Sequence, residues 1–290
     1  MRDEERWRYA RHLKLPELDE AAHERLKAGR VLVVGAGGLG SAALYYLAAA
    51  GVGHLGVVDH DVVELSNLQR QILHTTADLG RPKTRSAAEK LRALNPNIEV
   101  AEYQTRFSES NALSILDDYD MAVVGIDNFP GRYLLNDACV LTGKTLVEAS
   151  IIRFSGLAMT IQGGQTACYR CLFPHPPPDG RVPCTAEIGV FGPAAGVLGT
   201  IQASEVIEVL AGFGRPLYNR LLAVDLLGMS FDDTCIERDP QCPVCGEHPT
   251  ITELREVPIE SERCRECQGG VAARQPHWDS ESPQTGDADS

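Results

Sequence analysis

The sequence predicts an α/β fold, a mostly parallel sheet with helices on both faces and late antiparallel strands, and three observations carry that reading. Short apolar runs at 30–34, 55–58 and 120–125 alternate with helix-length segments, as strands joined by crossover helices do. The first run leads into a glycine loop, Gly35-Ala36-Gly37-Gly38-Leu39-Gly40, that opens an alanine- and leucine-rich helix. The second ends in Asp59 and closes a β-α-β unit of ordinary length.

Residues 2–28 are charged, with Trp7, Leu13, Leu15, Leu18 and Leu26 near helical spacing, and read as one or two short helices ahead of the domain. Strand 30–34, a helix over 39–50 and strand 55–58 follow. Pro82 sits in the first turn of a helix over 82–94, which closes before Asn95-Pro96, a pair that discourages further helix. Residues 98–103 make a strand, 108–116 a helix, and 120–125 a buried strand that delivers Asp127. A helix over 132–141 and a strand over 145–148 extend the alternation, so the sheet is Rossmann-like. Residues 156–162 and 221–225 have the apolar character of late, antiparallel strands. Residues 173–183 hold too many prolines for a regular element and form an exposed crossing loop that ends at Cys184. An apolar helix spans 194–211, and beyond residue 255 the chain loses periodicity and becomes a flexible tail. The expected organisation is an N-terminal helical segment (1–28), one core domain (29–255) and the tail (256–290).

Composition bounds the function. A formal charge of -13 opposes a polyanionic partner, so nucleic acid is not expected as the main substrate. The uncharged stretch 188–204 is bounded by Glu187 and Glu205 and is too short to span a membrane. The N-terminus lacks the apolar core of a signal peptide, and a cytoplasmic protein is the expectation. Six of the nine cysteines fall in Cys-x-x-Cys pairs, which in a reducing compartment point to metal or redox chemistry rather than disulfides.

Gly35, Gly37, Gly38 and Gly40 let the chain turn sharply and its backbone approach a phosphate, while the helix N-terminus offers unpaired amides to an anion. Asp59 suits hydrogen bonds to ribose hydroxyls. A nicotinamide cofactor fits both features, and an NAD(P)-dependent oxidoreductase is the alternative they leave open. Arg70 and Lys83 shift the balance. A dinucleotide's compact pyrophosphate is largely managed by helix amides, whereas a triphosphate calls for fixed cations, a planar fork and a mobile point charge. Asp127, directly after strand 120–125, would emerge beside the phosphates, where magnesium takes one or two carboxylates plus phosphate oxygens. Asn128 is the better candidate to cap the helix that follows.

Asn67-x-x-Arg70, Lys83 and Asp127-Asn128-x-x-x-Arg132-x-x-x-Asn136, set behind this glycine loop, resemble the ThiF/MoeB/HesA family, relatives of ubiquitin-activating enzymes. The resemblance runs from about Tyr9 to about Gly246. It implies a homodimer that uses ATP to adenylate the C-terminal glycine of a ubiquitin-like sulfur-carrier protein ending in Gly-Gly, in molybdopterin, thiamine or related sulfur-transfer biosynthesis. By that match Asp59 and Asn67 hold the ribose side, Arg70 and Lys83 the phosphates, and Asp127 the magnesium. Arg11, in Tyr9-Ala10-Arg11, matches an arginine that reaches the neighbouring subunit's site. The same match places Cys184 where some relatives carry a thiol that accepts the acyl group or joins a persulfide, and an idle thiol is its alternative. A non-catalytic carrier-binding subunit is the other alternative, disfavoured because the nucleotide residues are all present.

Cys168-x-x-Cys171 and Cys242-x-x-Cys245 can supply four thiolates to a closed tetrahedral zinc site that ties the C-terminal segment to the sheet. The family often carries such a zinc. Cys264-x-x-Cys267 is a lone pair to which no role is given.

Overall fold

A computed structural model describes residues 1–176 and 188–255. Eight strands form one sheet in the order β3-β2-β1-β4-β5-β6-β7-β8. Strands β1 (Arg30–Val34), β2 (His54–Val58), β3 (Glu99–Tyr103), β4 (Met121–Val124) and β5 (Thr145–Ile152) run parallel, Val31 to Val34 pairing with Leu55 to Val58 on one side and with Met121 to Val124 on the other. Strands β6 (Ser155–Gln162), β7 (Arg220–Asp225) and β8 (Ser230–Cys235) add antiparallel.

Alternation along the buried strands builds the two faces. Val31, Val33, Leu55, Val57 and Val123 point to one face, packing with Leu44 and Leu47 of α3 (Gly38–Ala50), Ala87 and Leu91 of α4 (Lys83–Leu94), and Leu26 of α2 (Glu20–Ala28). Leu32, Val34, Ala122, Val124 and Leu146 point to the other, against α5 (Ala112–Leu116) and α6 (Phe129–Thr142). A short helix, α7 (Tyr169–Leu172), and the segment around Cys242 close that second face. Helix α8 (Gly192–Ala211) lies beside α3, and a side chain at Gly199 would sit 2.4 Å from the Leu39 carbonyl, so the small residue sets the close approach. By length and composition α8 could cross a membrane, but half of its apolar window is buried within the fold.

The N-terminal segment does not stand apart. It contains α1 (Asp3–Arg8) and α2, and Leu18, Ala22 and Leu26 join the same core as α3. Other boundaries moved for local reasons. The helix expected over 108–116 starts at Ala112, because Asn111 Oδ1 accepts the Ser108 amide at 2.9 Å and holds the preceding residues in a turn. Helix α6 starts at Phe129 rather than 132, and Asn128 caps it as expected, its Oδ1 accepting the Gly131 amide at 2.9 Å. Strand β5 runs on to Ile152 because β6 pairs along its full length. The crossing loop from 177, Cys184, and the tail from 256 with Cys264 and Cys267 lie outside the described residues.

Candidate active site

Strand order reverses between β1 and β4, and the crevice at their carboxyl ends holds a pocket of about 400 Å³. Gly35 opens it at φ +101°, and a Cβ there would lie 2.5 Å from the Gly125 carbonyl, so the loops after β1 and β4 touch backbone to backbone. The turn brings the first amides of α3 to the pocket at Gly37 and Gly38. Gly40 lies beneath, its backbone against the Gly35 carbonyl.

Asp59, at the end of β2, lines the pocket and also braces it: Oδ2 accepts the Ala36 amide at 2.8 Å and Oδ1 the Asp61 amide at 2.9 Å. Lys83 stands in the first turn of α4, 5% exposed, and donates to Asp61 Oδ2 at 3.0 Å. Arg70 lines the same wall and donates to the Ser66 carbonyl at 3.1 Å. From the opposite wall Asp127 presents an exposed carboxylate without a hydrogen bond or ion pair among the described residues. An acceptor-only group open to a phosphate-sized cavity suits a magnesium ion shared with phosphate oxygens.

Arg132 fixes the loop that carries Asp127. Its buried guanidinium donates to the Ile126 carbonyl at 3.0 Å and the Ala149 carbonyl at 2.9 Å, and pairs with Glu148. Burial pushes the Glu148 carboxyl up to about 7, against the pull of Arg132.

Three residues singled out from the sequence sit away from the pocket. Asn67 is buried, its Oδ1 accepting the Glu64 amide at 3.3 Å within a short 3-10 turn ahead of Arg70. Asn136 Oδ1 accepts the Tyr169 amide at 2.9 Å, on the far side of α6. Arg11 is exposed in the turn after α1. Further polar residues line the pocket outside the sequence motifs, Asp61, Gln71 and Arg106 among them. Asp61 shares the Asp59-His60-Asp61 run, and Gln71, next to Arg70, is buried at the pocket with Oε1 lacking a partner among the described residues. Adjacency to a chosen residue was the available signal for both.

The two cysteine pairs meet behind α6. Cys168 Sγ lies 3.6 Å from Cys242 Sγ and Cys171 Sγ 3.4 Å from Cys245 Sγ, with all four sulfurs within 4.8 Å of one another. Sulfurs around tetrahedral zinc stand about 3.8 Å apart, as Zn–S bonds of about 2.3 Å require. The set therefore fits zinc, and it is closed, with no fourth position left for substrate. The Asp239 amide donates to Cys171 Sγ at 3.4 Å, while Arg170 and Asp137 make a buried bidentate pair, both contacts 2.7 Å, beside Cys168.

Residues 9–244 match the ThiF family. The chain is 51% identical over 256 residues to a sulfur carrier protein adenylyltransferase of Thermus thermophilus, covering 87% of this chain and 94% of that one. It is 49% identical to the adenylyltransferase and sulfurtransferase MOCS3 of Mus musculus, covering 86% of this chain but only 54% of that longer protein. A crystal structure of E. coli MccB with ATP superposes with a TM-score of 0.73 at 25% identity, over 82% of this chain and 73% of that one. The chain belongs to the ThiF family.

Proposed function

We propose that this chain is an ATP-dependent adenylyltransferase that activates the C-terminal glycine carboxylate of a ubiquitin-like sulfur-carrier protein, releasing pyrophosphate. The names of its relatives support the reading, as does ATP in the related MccB structure. The observation that carries it is the convergence of a glycine loop, the cations Arg70 and Lys83 and the open carboxylate of Asp127 on one pocket.

The α3 amides and Arg70 hold the triphosphate, and Lys83 turns from Asp61 to the phosphates when they arrive. Asp59 faces the ribose. Asp127 would hold a magnesium ion, which when bound supplies charge neutralisation across the phosphates. A carrier carboxylate oxygen then attacks the α-phosphorus, a new P–O bond forms, and the bond to the bridging oxygen breaks with its electron pair leaving on pyrophosphate. The nucleophile is already ionised at neutral pH, so positioning and charge neutralisation suffice without a general base. Cys168, Cys171, Cys242 and Cys245 would hold a structural zinc. The protein acts as a homodimer in which Arg11 reaches the partner's pocket, in the reducing cytoplasm that free thiolates need.

The test is ATP–pyrophosphate exchange with a carrier ending in Gly-Gly. Magnesium-dependent exchange that appears only with that carrier is the expected result. No exchange, together with NAD(P) binding and hydride transfer, would favour the oxidoreductase reading that the glycine loop and Asp59 share.

A further inference from the structure

We infer that His74 is a positioning residue of the nucleotide cradle, closing a ring of hydrogen bonds that sets the glycine loop against the helix that carries Lys83. The inference rests on the adenylyltransferase reading above. The ring can be followed atom by atom. The Ala36 amide donates to Asp59 Oδ2 at 2.8 Å, and the Asp61 amide to Asp59 Oδ1 at 2.9 Å. The Lys83 amide donates to the Asp61 carbonyl at 3.0 Å, which joins the end of β2 to the first turn of α4. One turn further along α4, Ser86 Oγ meets His74 Nδ1 at 2.9 Å, and His74 Nε2 meets the Ala36 carbonyl at 3.0 Å. The path returns to the residue from which it started.

The directions of these bonds are fixed by chemistry. A backbone carbonyl can only accept, so Nε2 carries the imidazole proton and Nδ1 accepts from the Ser86 hydroxyl. Ser86 Oγ in turn accepts from Lys90 Nζ at 2.8 Å, and Lys90 is anchored on Asp78. Donors and acceptors thus point one way along the chain, from Lys90 to the glycine loop. His74 is 4% exposed, and burial together with Lys83 and Lys90 draws its pKa below the ordinary value, although the Ala36 carbonyl and Asp59 pull the other way. The neutral tautomer needed for the ring is the form this site favours.

The imidazole does not line the pocket, whereas Gly35, Gly37, Asp59 and Lys83 all do. It acts through Ala36 and α4. Without it, the loop retains Asp59 on its amide but loses the tie on its carbonyl, and the spacing between loop amides and Lys83 is no longer set from both sides. Removing a buried hydrogen bond and leaving its carbonyl acceptor unsatisfied weakens the hold on the loop more than the loss of the bond alone.

Two variants separate this role from mere filling of space. Glutamine places its amide nitrogen near the position of Nε2, and asparagine places its polar atoms near Nδ1. In carrier-dependent exchange, H74N is expected to raise the KM for ATP about tenfold with the KM for carrier unchanged, while H74Q is expected to recover most of the wild-type value, within about twofold. Equal KM values for ATP in the two variants, or parallel changes in the KM for carrier, would overturn the proposal. Should H74N fail to fold by its melting transition, Ser86→Ala is read instead: a KM for ATP raised about threefold supports the ring, and an unchanged one refutes it. Wild-type protein that shows no exchange indicts the adenylyltransferase reading instead, so the two failures are told apart.

Discussion

The nucleotide pocket and the cysteine cluster stand on opposite sides of α6, and they treat polar groups in opposite ways. In the cluster, side chains are buried and matched: Cys168 and Cys242 are fully buried, Arg170 is bidentate to Asp137, and Asn136 and Asp239 present donors or acceptors to the surrounding backbone and sulfur. In the pocket, Asp127 has no partner among the described residues, Gln71 Oε1 is unsatisfied, and Lys83 leans on an exposed aspartate. Matched groups hold a fold, whereas groups left with open valence near a cavity keep their interactions for a ligand. The difference separates a stability centre from a working centre within one domain.

The strongest way to break this division is to lose a cluster ligand. Cys242→Ser should bind less than one zinc per chain and lower unfolding free energy by about 5 kcal/mol or more, read from denaturant midpoints, since metal binding at a structural site is folding free energy. Unchanged stability would mean that the cluster is not a metal-tied staple. Asp127→Ala should do the reverse, lowering exchange by about a thousandfold while the melting midpoint stays where it was, because an exposed carboxylate with no partner stabilises little. A large drop in melting point would place Asp127 among the structural residues.

Asn136→Ala probes the shared helix. Its amide serves the Tyr169 backbone on the cluster side, while the first turn of the same helix lines the pocket through Pro130 and Gly131. A stability loss of about 1–2 kcal/mol with exchange within about threefold of wild type is expected. Exchange falling as steeply as in Asp127→Ala would show that the two centres are mechanically one.

Much of this was legible along the chain because the signals are contiguous. The glycine loop, Asp59 and the two Cys-x-x-Cys pairs each declare themselves within a few residues, and their strands and helices fall close to the expected places. Contacts that depend on topology were not legible. Glu148 meets Arg132 only because β5 lies beside the start of α6, and His74 meets Ala36 across 38 positions of sequence. Strand β8 escaped notice for a different reason: Ser230 to Cys235 are exposed throughout, so no apolar alternation marks them. Helix α7 is a single turn, too short for periodicity to register.

The smallest expected effect sharpens the matched half of the comparison at a site remote from both centres. Glu5 is buried, accepting from Lys27 Nζ at 2.8 Å and from the Arg2 amide at 2.8 Å. Those bonds, Lys27 first, lower its pKa from 4.5 to about 2 despite the cost of burial. Above pH 4.5 the ionised carboxylate contributes in full; as pH falls from 4.5 toward 2, the unfolded chain takes up a proton that the folded chain refuses, and that contribution drains away. Denaturant midpoints of wild type should therefore fall more steeply than those of Glu5→Gln over this interval, with the gap closing as pH approaches 2. Parallel curves would mean that the Glu5–Lys27 pair is a surface contact of no consequence, and that pairing alone does not mark the groups that hold this fold.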